Sequence, residues 1–334
     1  MSTLITGGTG LIGACLAEKL LARGERVVLF DWAPAQWRIR HLSAAGGDRL
    51  RVTRSDVGSL VDLLEAVRAG GVTAIVHLAY VLGAESNERP ELATRVNIMG
   101  TSNVLEAARL GGVERVLLAS SIAVYGGDAE YGPGQLPLAE DAPLYVAKGL
   151  PVYGGGKVYL EQLGTHYARQ FGLTVAGLRP SIVYGWGRQS GASAFAGELV
   201  DRAALGEPVA VGFGDARVSM VYVDDVADQF LALLTAPRDR FERRRFFNTG
   251  GDTCTVRELA GTVQRLAPGA RIEVRSAGER DLAGLVTRVT DQALEETLGV
   301  RRRFTPLEVG LRAHIEVARR RAGQGLAGPG EREP

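Results

Sequence analysis

Thr3-Leu4-Ile5-Thr6-Gly7-Gly8-Thr9-Gly10-Leu11-Ile12-Gly13 decides the fold of this chain. A short apolar run stops at closely spaced glycines, and Leu11, Ile12, Cys15, Leu16 and Leu20 then follow at helical spacing. The pattern reads as strand, tight turn and helix. The first turn of such a helix leaves N–H groups unpaired and carries the positive end of the helix dipole, which suits a pyrophosphate. Gly7 permits the turn, Gly10 lets backbone approach the phosphates, and Gly13 lets helix and strand pack closely. The spacing is G-x-x-G-x-x-G rather than G-x-G-x-x-G, so the surrounding chain has to support the reading.

Support comes at the end of the next strand. Val27-Val28-Leu29-Phe30 runs into Asp31, at the distance where an acidic residue takes the adenosine ribose hydroxyls of a dinucleotide. A carboxylate there accepts two hydroxyl hydrogen bonds and repels a ribose phosphate. No Arg or Lys follows before Arg38, so NAD is expected rather than NADP. The plain alternative for Asp31 is a helix cap or a solvated strand end.

The composition sets bounds. At 334 residues the chain can bury a full core, as one large domain or two. Lys plus Arg number 39 against 38 Asp plus Glu, which favours neither nucleic acid nor a polyanionic surface as partner. With a strand read at the very start no signal peptide is expected, and no apolar run approaches the ~20 residues a bilayer needs. Two cysteines, Cys15 and Cys254, lack metal spacing, so a reducing cytoplasm is expected. The four histidines, at 41, 77, 166 and 314, do not pair at ligand spacing, so no metal site is expected.

From residue 3 to about 180, strand candidates at 3–6, 26–31, 50–53, 73–79, 113–120 and 174–180 alternate with helix-period segments. The expected fold class is α/β, a doubly wound parallel Rossmann-type sheet with a smaller, discontinuous C-terminal substrate domain. Asp56 follows the third strand, His77 ends the fourth as a satisfied strand-end histidine, and Asn97 opens a helix from Ile98 to Arg109. The fifth strand ends in Ser120-Ser121. Beyond a proline- and glycine-rich loop comes Tyr153-Gly154-Gly155-Gly156-Lys157, which puts Tyr and Lys on one helical face. Three glycines inside a helix should each cost about 1 kcal/mol relative to alanine, which points to close approach of a substrate or a neighbouring backbone.

These stretches, with HLA at 77–79, SSIAVYG at 120–126, YGGGK at 153–157, LRPSIVYG at 178–185 and VYVDDVA at 221–227, resemble the extended short-chain dehydrogenase/reductase family. The likeness is to its NAD-dependent epimerase/dehydratase branch, which includes nucleotide-sugar epimerases, and it covers about residues 1–320. It implies NAD contacts at Gly7, Gly10, Leu11, Ile12, Gly13, Asp31, Asp56, Val57, Leu78, Ala79, Asn97, Tyr153, Lys157 and Pro180. It also implies catalysis by Ser121, Tyr153 and Lys157. Tyr153 would take the proton of a secondary hydroxyl, Lys157 would hold the ribose and lower the phenol's pKa, and Ser121 would bind the reacting oxygen.

Departures from the family pattern narrow the reaction. Dehydratases carry Asp-Glu directly after the serine or threonine, whereas Ile122 and Ala123 stand here and cannot move protons, so dehydration is disfavoured. Arg217 stands where a diphosphate-gripping arginine is expected, with Ser121 and Ser181 as further substrate contacts. Gly278 occupies a second arginine position, for which Arg275 or Arg280 would have to substitute. The domain reading is 1–180 plus about 221–250 for NAD and about 181–220 plus 251–322 for substrate, with 323–334 as a disordered tail. Arg301-Arg302-Arg303 and Arg319-Arg320-Arg321 read as solvated helix-end charge. The leading function is an NAD-dependent nucleotide-sugar epimerase working through a transient keto intermediate. The alternatives are an NAD-dependent dehydrogenase or reductase of a smaller hydroxy or keto compound, and a non-catalytic NAD-binding regulator. The family default is a homodimer.

Overall fold

The computed structural model of the chain describes residues 1–188, 191, 194–276, 284–299 and 305–323. Seven strands form a wholly parallel sheet in the order β10-β6-β5-β4-β1-β2-β3. They are β1 Ser2–Thr6, β2 Arg26–Asp31, β3 Leu50–Arg54, β4 Ala74–His77, β5 Arg115–Ala119, β6 Thr174–Arg179 and β10 Phe246–Asn248. Their central members are apolar throughout, because helices cover both faces. Leu11–Ala22 and Val223–Thr235 close one face around Leu16, Leu20, Phe230 and Leu233. Leu60–Gly70, Gly100–Gly111 and Pro151–Phe171 close the other around Leu63, Val104, Leu105 and Leu160. The chain winds from β1 outward to β3 and then returns to β4 on the other side of β1. That reversal leaves a crevice at the carboxyl ends of β1 and β4, where ligands bind in sheets of this type.

A second assembly is built from short strands. A three-stranded sheet, β11-β9-β7, joins β7 Ile182–Tyr184, β9 Arg217–Tyr222 and β11 Asp252–Thr255, and β8 Pro208–Val211 pairs with β12 Arg271–Val274. Helices Ala194–Ala204, Val256–Leu266 and Leu307–Gly323 pack over them in a separate core that includes Leu199, Leu259, Val263 and Leu311. Thr255 and Glu258 form a reciprocal capping box at the start of Val256–Leu266, satisfying two otherwise orphaned donors.

Val223–Thr235 is not capped by Asp224 or Asp225, which lie in its first turn. Asp224 accepts from the Cys15 thiol and pairs with Lys19, while Asp225 accepts from the Thr305 backbone and hydroxyl. Both carboxylates still favour the helix dipole there. Of the 221–250 segment, only β10 joins the large sheet, because Met220, Val221 and Tyr222 pair with β7. Residues 301–303 and 324–334 lie outside the described residues. Among the described residues no helix is long and apolar enough to cross a membrane.

Candidate active site

The crevice at the strand reversal opens into a cleft of about 1530 Å³, part of it open to solvent. One end is built by the glycine turn. Gly7 has φ +63°, and a Cβ on it would lie 2.8 Å from the Ala79 nitrogen, so only glycine lets the ends of β1 and β4 meet. A Cβ on Gly13 would lie 2.7 Å from the Gly7 carbonyl oxygen. Gly10 caps Leu11–Ala22 with no side-chain hydrogen bond, so the N–H groups of the helix start face the cleft unobstructed. Asp31 lines the same end. Its Oδ2 accepts from the Thr9 amide at 3.0 Å and the Thr9 hydroxyl at 2.7 Å, and its Oδ1 from the Ala33 amide at 3.1 Å. The carboxylate is therefore fixed in direction before any ribose meets it.

Arg38, the first basic residue after Asp31, reaches this cleft. Helix Gln36–Gly46 brings it back, and the buried guanidinium donates to the Thr9 carbonyl at 2.5 Å and the Gly187 carbonyl at 2.6 Å. Burial pushes its pKa down to about 10. Both hydrogen bonds go to backbone carbonyls, and the fixed Asp31 carboxylate at the same end remains the group that would repel a ribose phosphate. Trp37 and Trp186 meet edge to face beside it, with ring centroids 4.6 Å apart.

The other end of the cleft gathers Ser121, Tyr153 and Lys157. Ser121 leaves β5 in extended conformation and its Oγ accepts from the Ala123 amide at 3.1 Å. Tyr153 and Lys157 lie one turn apart on Pro151–Phe171. Burial raises the Tyr153 pKa above that of free tyrosine, opposed by its hydrogen bond with Ser121 and by the positive charge of Arg188. The Lys157 ammonium lies nearer to two other groups than to the Tyr153 ring. Its Nζ donates to the Ala119 carbonyl at 2.6 Å and sits 3.3 Å from the centroid of the Tyr80 ring, against 5.5 Å for Tyr153. A carbonyl and an aromatic face replace water around the buried ammonium. Burial nevertheless drives its pKa well down, opposed by Glu161.

The three helical glycines divide by role. A Cβ on Gly154 would lie 2.5 Å from the Ala123 carbonyl oxygen, and one on Gly156 would lie 2.5 Å from the Tyr80 hydroxyl. Nothing lies within 4 Å of a Cβ on Gly155. Two of the three thus permit close approach, to β5's exit and to Tyr80, and the middle one does not. Behind the site, Glu161 takes both Arg179 Nε at 2.8 Å and Nη2 at 2.7 Å, and also accepts from Ser120 at 2.5 Å. Arg179 reaches on to the Tyr125 hydroxyl at 2.6 Å. This buried pair ties the ends of β5 and β6 to helix Pro151–Phe171.

Of the other residues singled out in the sequence, Leu11, Ile12, Leu78, Pro180 and Ser181 also line the cleft. Ser181 is buried, and its hydroxyl accepts from Ser219 at 3.0 Å. Asp56 turns to an ion pair with Arg95, and Val57 is buried beneath Gly100. Asn97 is buried and holds the Val81 backbone through both its amide atoms, at 2.7 and 3.1 Å. These three and Ala79 are not among the cleft's lining residues. Arg217 is exposed at the start of β9, opposite Thr255, and is not a lining residue. Arg275 is exposed and paired with Glu273 at 2.7 Å; Gly278 and Arg280 lie outside the described residues. His77 is buried between the Thr6 hydroxyl at 2.7 Å and the Thr101 hydroxyl at 3.1 Å. Sequence reasoning missed Thr9, Tyr80 and Arg188. Thr9 stands inside the glycine turn and Tyr80 directly after His77-Leu78-Ala79, so both were within reach of a local reading.

The comparisons with known proteins agree with this geometry. Residues 3–250 match the model of the NAD dependent epimerase/dehydratase family. A UDP-glucose 4-epimerase of Mycolicibacterium smegmatis is 33% identical over 236 residues, covering 69% of this chain and 72% of that protein. The mitochondrial L-threonine 3-dehydrogenase of Bos taurus is 27% identical over 274 residues, covering 80% of this chain and 69% of that protein. Among solved structures, UDP-glucose 4-epimerase of Thermus thermophilus in complex with NAD superposes with a TM-score of 0.81 at 27% identity, covering 96% of this chain and 99% of the other. The glycine turn, the open helix start and the fixed Asp31 carboxylate fit NAD, which is the cofactor. This chain belongs to the NAD-dependent epimerase/dehydratase family of extended short-chain dehydrogenase/reductase enzymes.

Proposed function

We propose that the protein is an epimerase of a nucleotide sugar, working by reversible oxidation of a secondary alcohol carbon. The observation that carries this is the single cleft shared by the glycine turn and by Ser121, Tyr153 and Lys157. Bound NAD supplies the hydride acceptor and donor. Tyr153 takes the hydroxyl proton and returns it. Ser121 holds the reacting oxygen while charge builds on it. Lys157 would hold the cofactor's ribose hydroxyls. Ile122 and Ala123, both buried and apolar, offer no second acid–base pair, which argues against dehydration. Asp56, Val57, Ala79 and Asn97 remain proposed NAD contacts, although none of them is among the cleft's lining residues.

A second reading has its own support. Arg217 stands off the cleft and Arg275 is paired elsewhere, which favours a dehydrogenase of a smaller hydroxy compound, and a relative carries the name L-threonine 3-dehydrogenase. Incubation with UDP-glucose and NAD separates the two. Epimerisation yields UDP-galactose with no net NADH, whereas the second reading requires stoichiometric NADH from a small alcohol and no conversion of the sugar. Failure with every hydroxy and keto compound, despite tight NAD binding, would leave only the regulator.

The division of labour we propose is NAD binding by 1–180 plus about 221–250 and substrate binding by about 181–220 plus 251–322. Exposed Met99, Val152 and Tyr159 on and beside the helices of the catalytic face support a homodimer, to be checked by light scattering. The free cysteines Cys15 and Cys254 support a cytoplasmic location.

A further inference from the structure

Tyr80 has no part in the reading above, yet it lines the same cleft as Ser121, Tyr153 and Lys157. It follows β4 directly after His77-Leu78-Ala79 and meets helix Pro151–Phe171 at Gly156. A Cβ there would lie 2.5 Å from the Tyr80 hydroxyl, so the rim of the ring reaches the helix only because residue 156 is glycine. The Tyr153 ring stands perpendicular to it, at 89° with centroids 5.5 Å apart. Held on these sides, the ring lies 3.3 Å, measured from its centroid, from Lys157 Nζ. The Tyr80 hydroxyl is buried and makes no hydrogen bond among the described residues. Burial also raises its pKa above that of free tyrosine, so the side chain stays neutral. What Tyr80 offers the site is the face of its ring.

The ammonium beside it has few other supports. Lys157 is 3% exposed, and of its three N–H donors one is taken by the Ala119 carbonyl at 2.6 Å. The carboxylate one turn along its helix, Glu161, already has both oxygens engaged by Arg179 of β6 and one of them by Ser120 as well. His77, at the end of β4, is neutral because burial pushes its pKa down to about 3. On the same helix the Tyr153 ring centroid is 5.5 Å away. The negative face of an aromatic ring attracts a cation most strongly where both have lost water. We propose that the face of the Tyr80 ring keeps Lys157 protonated, which makes Tyr80 a positioning residue that maintains the cation for the cofactor's ribose. This rests on the role given to Lys157 above and deepens it with a residue that carries no chemistry of its own.

Lys19, Lys148 and Lys157 are the three lysines of the chain, so NMR of the full-length protein with lysine labelled at Cε gives three signals, and Lys157→Arg assigns the one at the site. The measurement is the pH titration of that signal, with no cofactor or substrate added. Tyr80→Leu, which removes the aromatic face, should move its midpoint down by about one pH unit. Tyr80→Phe keeps the face and drops the unpaired hydroxyl, and should leave the midpoint in place. An unmoved midpoint in Tyr80→Leu, or an equal displacement in Tyr80→Phe, would overturn the proposal. Should Tyr80→Leu fail to fold, the wild-type protein still decides. Its Lys157 Hε protons, held over the ring, must resonate upfield of those of Lys19 and Lys148, and ordinary shifts there would overturn the proposal equally. The titration needs no turnover, so the two readings fail separately. Turnover with an unmoved midpoint would sink this inference alone, and the expected displacement in a protein that turns over no substrate would sink the catalytic reading alone.

Discussion

Tyr153 is held by the fold as a weaker acid than free tyrosine, with Ser121 and Arg188 drawing its pKa back down. The direction fixes a prediction. A base that must lose its proton works better as pH rises, and removing an influence that favours the phenolate moves the rising limb to higher pH. Ser121→Ala should therefore shift the pH dependence of kcat/KM in the alkaline direction and lower kcat by ~10- to 100-fold, as loss of one stabilising hydrogen bond does. A profile unmoved on the pH axis would remove Ser121 from contact with the phenol. Ser121, Tyr153 and Lys157 were legible because a strand end and a four-residue helical spacing fix where side chains point. The surroundings of the ammonium were not: Lys157 Nζ meets the Ala119 carbonyl and the Tyr80 ring, groups that the helical spacing does not place.

Helix Pro151–Phe171 shows the same limit for an element. Its glycine run announced close approach, yet the sequence could not say which glycine met what. Gly155 faces open space, so Gly155→Ala should stabilise the protein by about 0.5–1 kcal/mol and keep turnover. Gly156→Ala should push Tyr80 away from the helix, and with it the Lys157 ammonium, so activity should fall without a gain in stability. Thermal unfolding and turnover of the two variants check this. Equal behaviour of the pair would contradict the contact between Gly156 and Tyr80. The parallel strands were readable as apolar runs between helical repeats. Strands β7, β8 and β12 were not, being three or four residues long, too short for a period to show. Arg217 opens the longer β9, the middle strand of its sheet, and its exposed place opposite Thr255 of β11 depends on a pairing that the local sequence does not announce.

At the scale of the molecule, His77 links the site's framework to pH. Thr101 gives its hydroxyl proton to the Asn97 carbonyl at 2.6 Å, so His77 Nε2–H donates to Thr101 and Nδ1 accepts from Thr6. The ring is neutral, and burial pushes its pKa from 6.5 down to about 3. Between those values the unfolded chain binds a proton that the folded chain refuses. Stability therefore falls as pH drops from 6.5 towards 3, by up to about 1.4 kcal/mol per unit, and is unaffected by this group above that window. His77→Asn should flatten the urea-unfolding pH dependence by that slope, and an unchanged slope would show that His77 is not buried neutral. The whole assembly, two cores and a sheet reversal, serves to place one phenol in the cleft that holds the dinucleotide. The direct test is Tyr153→Phe, with NAD affinity by calorimetry and turnover measured on the same sample. The expected result is a Kd within about 2-fold of wild type, since one hydroxyl is lost from a large contact, and a rate lower by at least ~100-fold. Turnover within a few-fold of wild type at unchanged affinity would contradict it.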